Sequence, residues 1–129
     1  MENKELIKLA MNVRDNAYVP YSNFKVGACL LTKSGKTFVG CNVENASFGA
    51  TNCAERTAIF SAVASGEREF EKIAIIGSNS NEYAYPCGIC RQVMSEFGDF
   101  TVIVAKDEND YKEFKLSKLL PSSFNKESM

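Results

Sequence analysis

Apolar residues recur at three- and four-residue spacing from Lys4 to Tyr18, where Leu6, Leu9, Ala10, Val13 and Ala17 share one face. That spacing predicts an amphipathic helix, stopped by Pro20. The period then changes. Phe24–Leu31 and Lys36–Cys41 read as strands, and Ser34-Gly35 turns one back on the other as an antiparallel hairpin. Asn42–Asn52 is a polar loop running into a second helix, Cys53–Ala64, with no charge after Arg56. A helix apolar nearly all round is covered on more than one side, which leaves room for a subunit contact beside the sheet. Ile73–Ile76 and Phe100–Ala105 are short continuous apolar runs, as in central strands covered on both faces. A third helix, Cys87–Gly98, separates them. The tail adds a strand at Tyr111–Lys115 and a brief helix at Leu116–Leu120.

This order predicts a mixed sheet of about five strands with helices on both faces, a three-layer α/β/α sandwich. The polar link Lys106–Asp110 is too short for a parallel crossover, which takes about a dozen residues, so the last two strands run antiparallel. No linker or repeat interrupts the pattern. The 129 residues are expected to form one domain, 1–129, able to bury a core without staples.

Composition narrows the chemistry. There is no histidine among the 129 residues, so no imidazole can serve as base or ligand. The five cysteines, without an export signal, point to reduced thiols in a cytoplasmic protein. No run spans a membrane. The net charge is −1, with scattered Lys and Arg, which favours a small-molecule substrate over a nucleic acid polymer.

Cys53-Ala54-Glu55 and Pro86-Cys87-Gly88-Ile89-Cys90 hold the candidate site. Cys53, Cys87 and Cys90, at two helix starts, would bind zinc through three thiolates and leave the fourth position open, as in catalytic rather than structural sites. Residues two apart do not share a helix face, but first-turn side chains tilt back toward the helix mouth, so Glu55 can reach a water there without being a ligand. Arg56 and Arg91 are candidates to donate to the sulfurs and offset their charge. Cys29 and Cys41 read as small buried apolar residues, with Cys41 as the fourth ligand of a closed site being the residual possibility. A CxxC alone would equally suit a structural zinc or a redox pair; C-x-E with P-C-x-x-C is the signature of zinc deaminases of nucleobases.

Five segments together resemble the cytidine deaminases of the small, free-nucleoside class: Tyr21–Ala28, Gly40–Ser47, Cys53–Arg56, Pro86–Gln92 and Leu119–Phe124. The resemblance implies a cytidine deaminase-like fold and one zinc per chain. It implies hydrolysis of cytidine and deoxycytidine to uridine and deoxyuridine, with release of ammonia, in pyrimidine salvage. It also places Phe24 against the pyrimidine, Asn42 and Glu44 at the ribose hydroxyls, and the Ala54 N–H at the base carbonyl. Glu55 would carry protons to N3 and to the departing amine. Small members are homotetramers with shared active sites, and Phe124 matches the aromatic that closes a neighbour's pocket. Two positions depart from the pattern: Phe48 stands where tyrosine is common, and Tyr85 where a small serine is common. A relative acting on a modified nucleoside or a cytosine-bearing antibiotic is one alternative, disfavoured by Asn42–Asn45. A non-enzymatic zinc-stabilised module is the other, and would need a fourth protein ligand.

Overall fold

A computed structural model describes all residues, 1–129. The elements are α1 (Asn3–Arg14), β1 (Val26–Thr32), β2 (Thr37–Cys41), a short 3-10 turn (Phe48–Ala50) and α2 (Ala54–Ala64). They continue with β3 (Phe70–Gly77), α3 (Gly88–Ser95), β4 (Thr101–Ala105), β5 (Tyr111–Lys115), α4 (Leu116–Leu119) and a final 3-10 turn (Lys126–Ser128). The five strands make one sheet in the order β2-β1-β3-β4-β5. β3 is central, antiparallel to β1 and parallel to β4, and β5 closes the edge antiparallel to β4. The sheet is therefore mixed and the last pair antiparallel, as the short link requires.

Alternation along the inner strands sends side chains to two cores. Leu6, Ile7 and Ala10 of α1 pack on Cys29, Ala74, Ile76 and Ile103 on one face. Ala58, Ile59 and Ala62 of α2 and Met94 of α3 pack on Leu30, Ile73, Ile75, Val102 and Val104 on the other. Each fully buried Leu or Ile contributes about 1.5–3 kcal/mol by leaving water, so the continuous apolar runs of β3 and β4 anchor both layers. The outer side of α2 stays uncovered in the chain, with Phe60 half-exposed.

Most expected boundaries move by a residue or two, and three move further. α1 ends at Arg14 rather than Tyr18, because the Tyr18 N–H goes to the Asn42 carbonyl and Tyr18 pairs with Val43. β3 begins at Phe70, earlier than the apolar run, because the ladder with β1 also pairs Lys72 with Leu31 and, past an irregularity at Glu71, Phe70 with Thr32. α3 stops at Ser95, before Gly98, whose φ of +104° lies in the left-handed region that glycine tolerates.

Candidate active site

Val26 pairs with Gly77 where β1 starts and β3 ends. The carboxyl ends of β3 and β4 thus share one rim of the sheet, where ligands bind in open α/β folds. Helices α2 and α3 both bring their N-termini to this rim. Cys53 is the N-cap residue of α2, Cys87 is the N-cap residue of α3, and Cys90 lies one turn inside. Two approaches make this possible. Gly40 in β2 lets the first turn of α2 lie directly on the strand, since a Cβ there would stand 2.5 Å from the Ala54 carbonyl oxygen and 2.4 Å from the Ala58 nitrogen. Gly77 gives the Phe24 ring its seat, since a Cβ there would come within 2.5 Å of its Cζ.

The three sulfurs lie within 4.8 Å of one another, with Cys53 Sγ and Cys87 Sγ 3.7 Å apart. Tetrahedral zinc with Zn–S distances of about 2.3 Å requires sulfurs about 3.8 Å apart. Three soft sulfurs at this separation fit zinc, and no fourth Cys, Asp or Glu joins the group. Cys41 is not in it, which removes the closed four-thiolate arrangement. Hydrogen bonding with Cys90 is the main cause that pulls the Cys53 thiol down to about 5, against its burial and with help from Arg56 and Cys87. Cys90 is pushed up by the reciprocal bond and by burial. Burial alone pushes Cys29 up to about 12, so it is an inert core thiol.

Arg56 donates from Nη2 to Cys53 Sγ at 3.4 Å, and its buried Nε has no partner. Burial opposes its charge, yet bonding to the Cys53 and Cys90 sulfurs prevails and holds it protonated. Arg91 corrects the expectation of a second sulfur donor. Its Nε and Nη1 donate to the carbonyls of Pro86 and Leu119, both at 2.7 Å, and no hydrogen bond runs from it to a cysteine. It fastens the segment before Cys87 to α4.

Beside the sulfurs is a mainly apolar cavity of about 240 Å³, lined by Phe24, Asn42, Ala54, Glu55, Tyr85 and Cys87 among others. Glu55 is 4% exposed, and burial, against bonding from its own backbone N–H, raises its carboxyl to about 7. A group near neutrality can both take and give a proton. Asn42 bridges the Val26 N–H and the Phe24 carbonyl, which fixes it at the cavity wall. Glu44 sits in a neighbouring depression with Tyr21, Ser22, Phe48 and Thr51. Its carboxylate accepts from the N–H groups of Tyr21 and Ser22 and from the Ser22 hydroxyl, and bonding from Ser22 holds its pKa below the usual range. Phe124 does not line the cavity of its own chain; it is 62% exposed, and its carbonyl accepts from Gln92. Ala84 and Ile75 line the cavity without a motif to announce them, beside Val26 of the Tyr21–Ala28 segment and Tyr85, which departs from the family pattern before Pro86. A depression of about 340 Å³ between α3 and the tail is lined mainly by serine hydroxyls, with Asp99 and Asn125.

The family model for the cytidine and deoxycytidylate deaminase zinc-binding region matches residues 1–106. The chain is 47% identical to a cytidine deaminase of Halalkalibacterium halodurans, over 100% of this chain and 98% of that protein. It is 43% identical to a probable cytidine deaminase of Dictyostelium discoideum, over 99% of this chain and 87% of that one. Among solved structures, a cytidine deaminase from Burkholderia pseudomallei superposes with a TM-score of 0.91 at 50% identity, covering 96% of this chain and 100% of that one. A cytidine deaminase from Mycobacterium tuberculosis superposes with a TM-score of 0.84 at 33% identity, covering 96% and 98%.

Proposed function

The chain belongs to the cytidine deaminase family, and we propose on that premise that it hydrolyses cytidine to uridine and ammonia, with zinc as its cofactor. The observation that carries the reading is the trio of sulfurs within 4.8 Å on one side of a cavity that also holds the buried Glu55. Zinc, when bound, supplies the Lewis acidity that brings the pKa of water from about 15.7 toward 7. Cys53, Cys87 and Cys90 would hold it, and Arg56 would offset the charge of three thiolates.

Glu55 is the proton carrier. It accepts a proton from the attacking water and delivers it to N3 of the base, then takes the proton of the new C4 hydroxyl and passes it to the amine, which leaves as ammonia as the C4 carbonyl forms. Phe24 packs on the face of the pyrimidine, and the Ala54 N–H at the mouth of α2 donates to the C2 carbonyl. Asn42 and Glu44 bind the ribose hydroxyls. An ionised carboxylate has about four acceptor sites, and the three donors from Tyr21 and Ser22 leave Glu44 capacity for a sugar hydroxyl.

Deoxycytidine is a second substrate in this reading, and the cellular setting is pyrimidine salvage in the cytoplasm. No helix is long and apolar enough to cross a membrane. A homotetramer with shared sites accounts for two exposed aromatics: Phe60 on the outer face of α2, and Phe124, which would close a neighbour's cavity. The test is ultraviolet assay of cytidine turnover with parallel metal analysis. Wild type should release ammonia with about one zinc per chain, and Glu55→Gln should keep zinc yet lose at least about 100-fold in turnover. Zinc-loaded wild type without ammonia release would refute the proposal.

A further inference from the structure

We propose that Tyr85 is a specificity-determining residue whose ring walls the cavity along the C4–C5 edge of the base and excludes cytosines substituted there. The inference rests on the reading above, in which Ala54 and Glu55 occupy the C2–N3 edge. The opposite edge then faces the remaining wall, and Ala84 and Tyr85 supply it, immediately before Pro86 and Cys87. Ala84 is small and leans toward Gly77, where an added Cβ would lie 3.2 Å from it. Bulk on this side therefore comes from Tyr85.

A half-exposed aromatic selects only if it is held in place, and Tyr85 is held. Its ring packs on Phe114 of β5 at 5.9 Å between centroids, and on Tyr83 at 6.4 Å. Tyr83 is itself fixed to the β4–β5 hairpin. Its hydroxyl donates to Asp110, and the ammonium groups of Lys106 and Lys112 lie 4.6 and 4.8 Å from its ring centre. Such cation–π contacts are worth about 0.5–1 kcal/mol each when exposed. From the other side, Arg91 holds the Pro86 carbonyl. The segment entering the metal ligands is thus pinned to α4, β5 and the hairpin beyond β4, and a substituent cannot displace the ring without disturbing that set.

The test compares kcat/KM for cytidine, 5-methylcytidine and N4-methylcytidine. Wild type should prefer cytidine. Replacing the ring with a methyl group in Tyr85→Ala should lower that preference at least about 10-fold for one or both analogues, the scale on which a pocket discriminates a methyl group. Tyr85→Phe should keep the wild-type ratio, because the ring rather than the hydroxyl forms the wall. Phe114→Ala, which removes the prop while leaving the wall residue, should fall between them. A Tyr85→Ala ratio within about 2-fold of wild type, or a Tyr85→Phe ratio as relaxed as that of Tyr85→Ala, would overturn the inference. If Tyr85→Ala fails to fold, Phe114→Ala and Tyr85→Phe decide. Wild type inactive on cytidine itself would sink the deaminase reading instead, so the two failures are distinguishable.

Discussion

Gly40→Ala places one methyl group between β2 and the helix that begins at the metal. The added carbon would stand 2.4 Å from Ala58 N, 2.5 Å from Ala54 O and 2.9 Å from Thr57 Cβ, against at least 3.4 Å in ordinary contact. The first two neighbours are helix backbone and cannot rotate away, so α2 must move outward by about 1 Å. Overpacking of this kind costs about 1–3 kcal/mol. For a chain of this size, a loss of 2 kcal/mol lowers Tm by roughly 6–8 °C. The displacement also carries Cys53, the residue just before the helix, and exceeds the tolerance of about 0.2 Å on metal–ligand distances. Zinc affinity should therefore fall at least about 10-fold. Thermal unfolding with a chelator present isolates the packing loss, and competition with a chromogenic chelator reads the metal loss. Gly49→Ala is the control, because nothing lies within 4 Å of its added carbon. A Gly40→Ala protein with the Tm and zinc affinity of wild type would refute the claim that the bare strand seats α2.

Arg56→Ala removes the donor to Cys53 Sγ and should weaken zinc binding about 10- to 100-fold in the same competition; unchanged affinity would remove Arg56 from the site. Cys29, with its thiol near 12, should resist alkylation at pH 8 in the native protein and react only after denaturation, as peptide mass mapping would show. Asp99 accepts from the Ser117 N–H and hydroxyl, and the N–H bond is the main cause holding its carboxyl below the usual range. The folded-state pKa is the lower one, so this stabilisation is present above about pH 3.9 and is lost as pH falls through the folded value. Asp99→Asn should accordingly lower Tm at neutral pH, and the gap to wild type should close on acidification.

What the linear pattern revealed depended on how local the cause was. The apolar runs at Ile73–Ile76 and Phe100–Ala105 marked central strands because burial on both faces demands them, and the short Lys106–Asp110 link fixed the direction of the final strand. The end of α1 was hidden, because Ala17 continues the helical spacing while the Asn42 carbonyl, 24 residues beyond Tyr18, takes the Tyr18 N–H. The same limit applied at the site. The grouping of Cys53, Cys87 and Cys90 was legible from spacing and chemistry, since metal binding requires such residue types, and folding brings the buried Glu55 to the cavity beside them. Arg91 was misread because nothing in its neighbourhood along the chain signals the Leu119 carbonyl it reaches across to. Ala84 and Ile75 became cavity residues only when folding set them beside Phe24.

The Ser34-Gly35 turn joins β1 to β2 at the sheet edge opposite the rim where Val26 meets Gly77. The intervening strand of seven residues spans roughly 20 Å at about 3.3 Å per residue. That hairpin tip is the natural place to graft a fluorophore or an immobilisation handle, because cargo attached there faces away from every sulfur and from the nucleoside's way in.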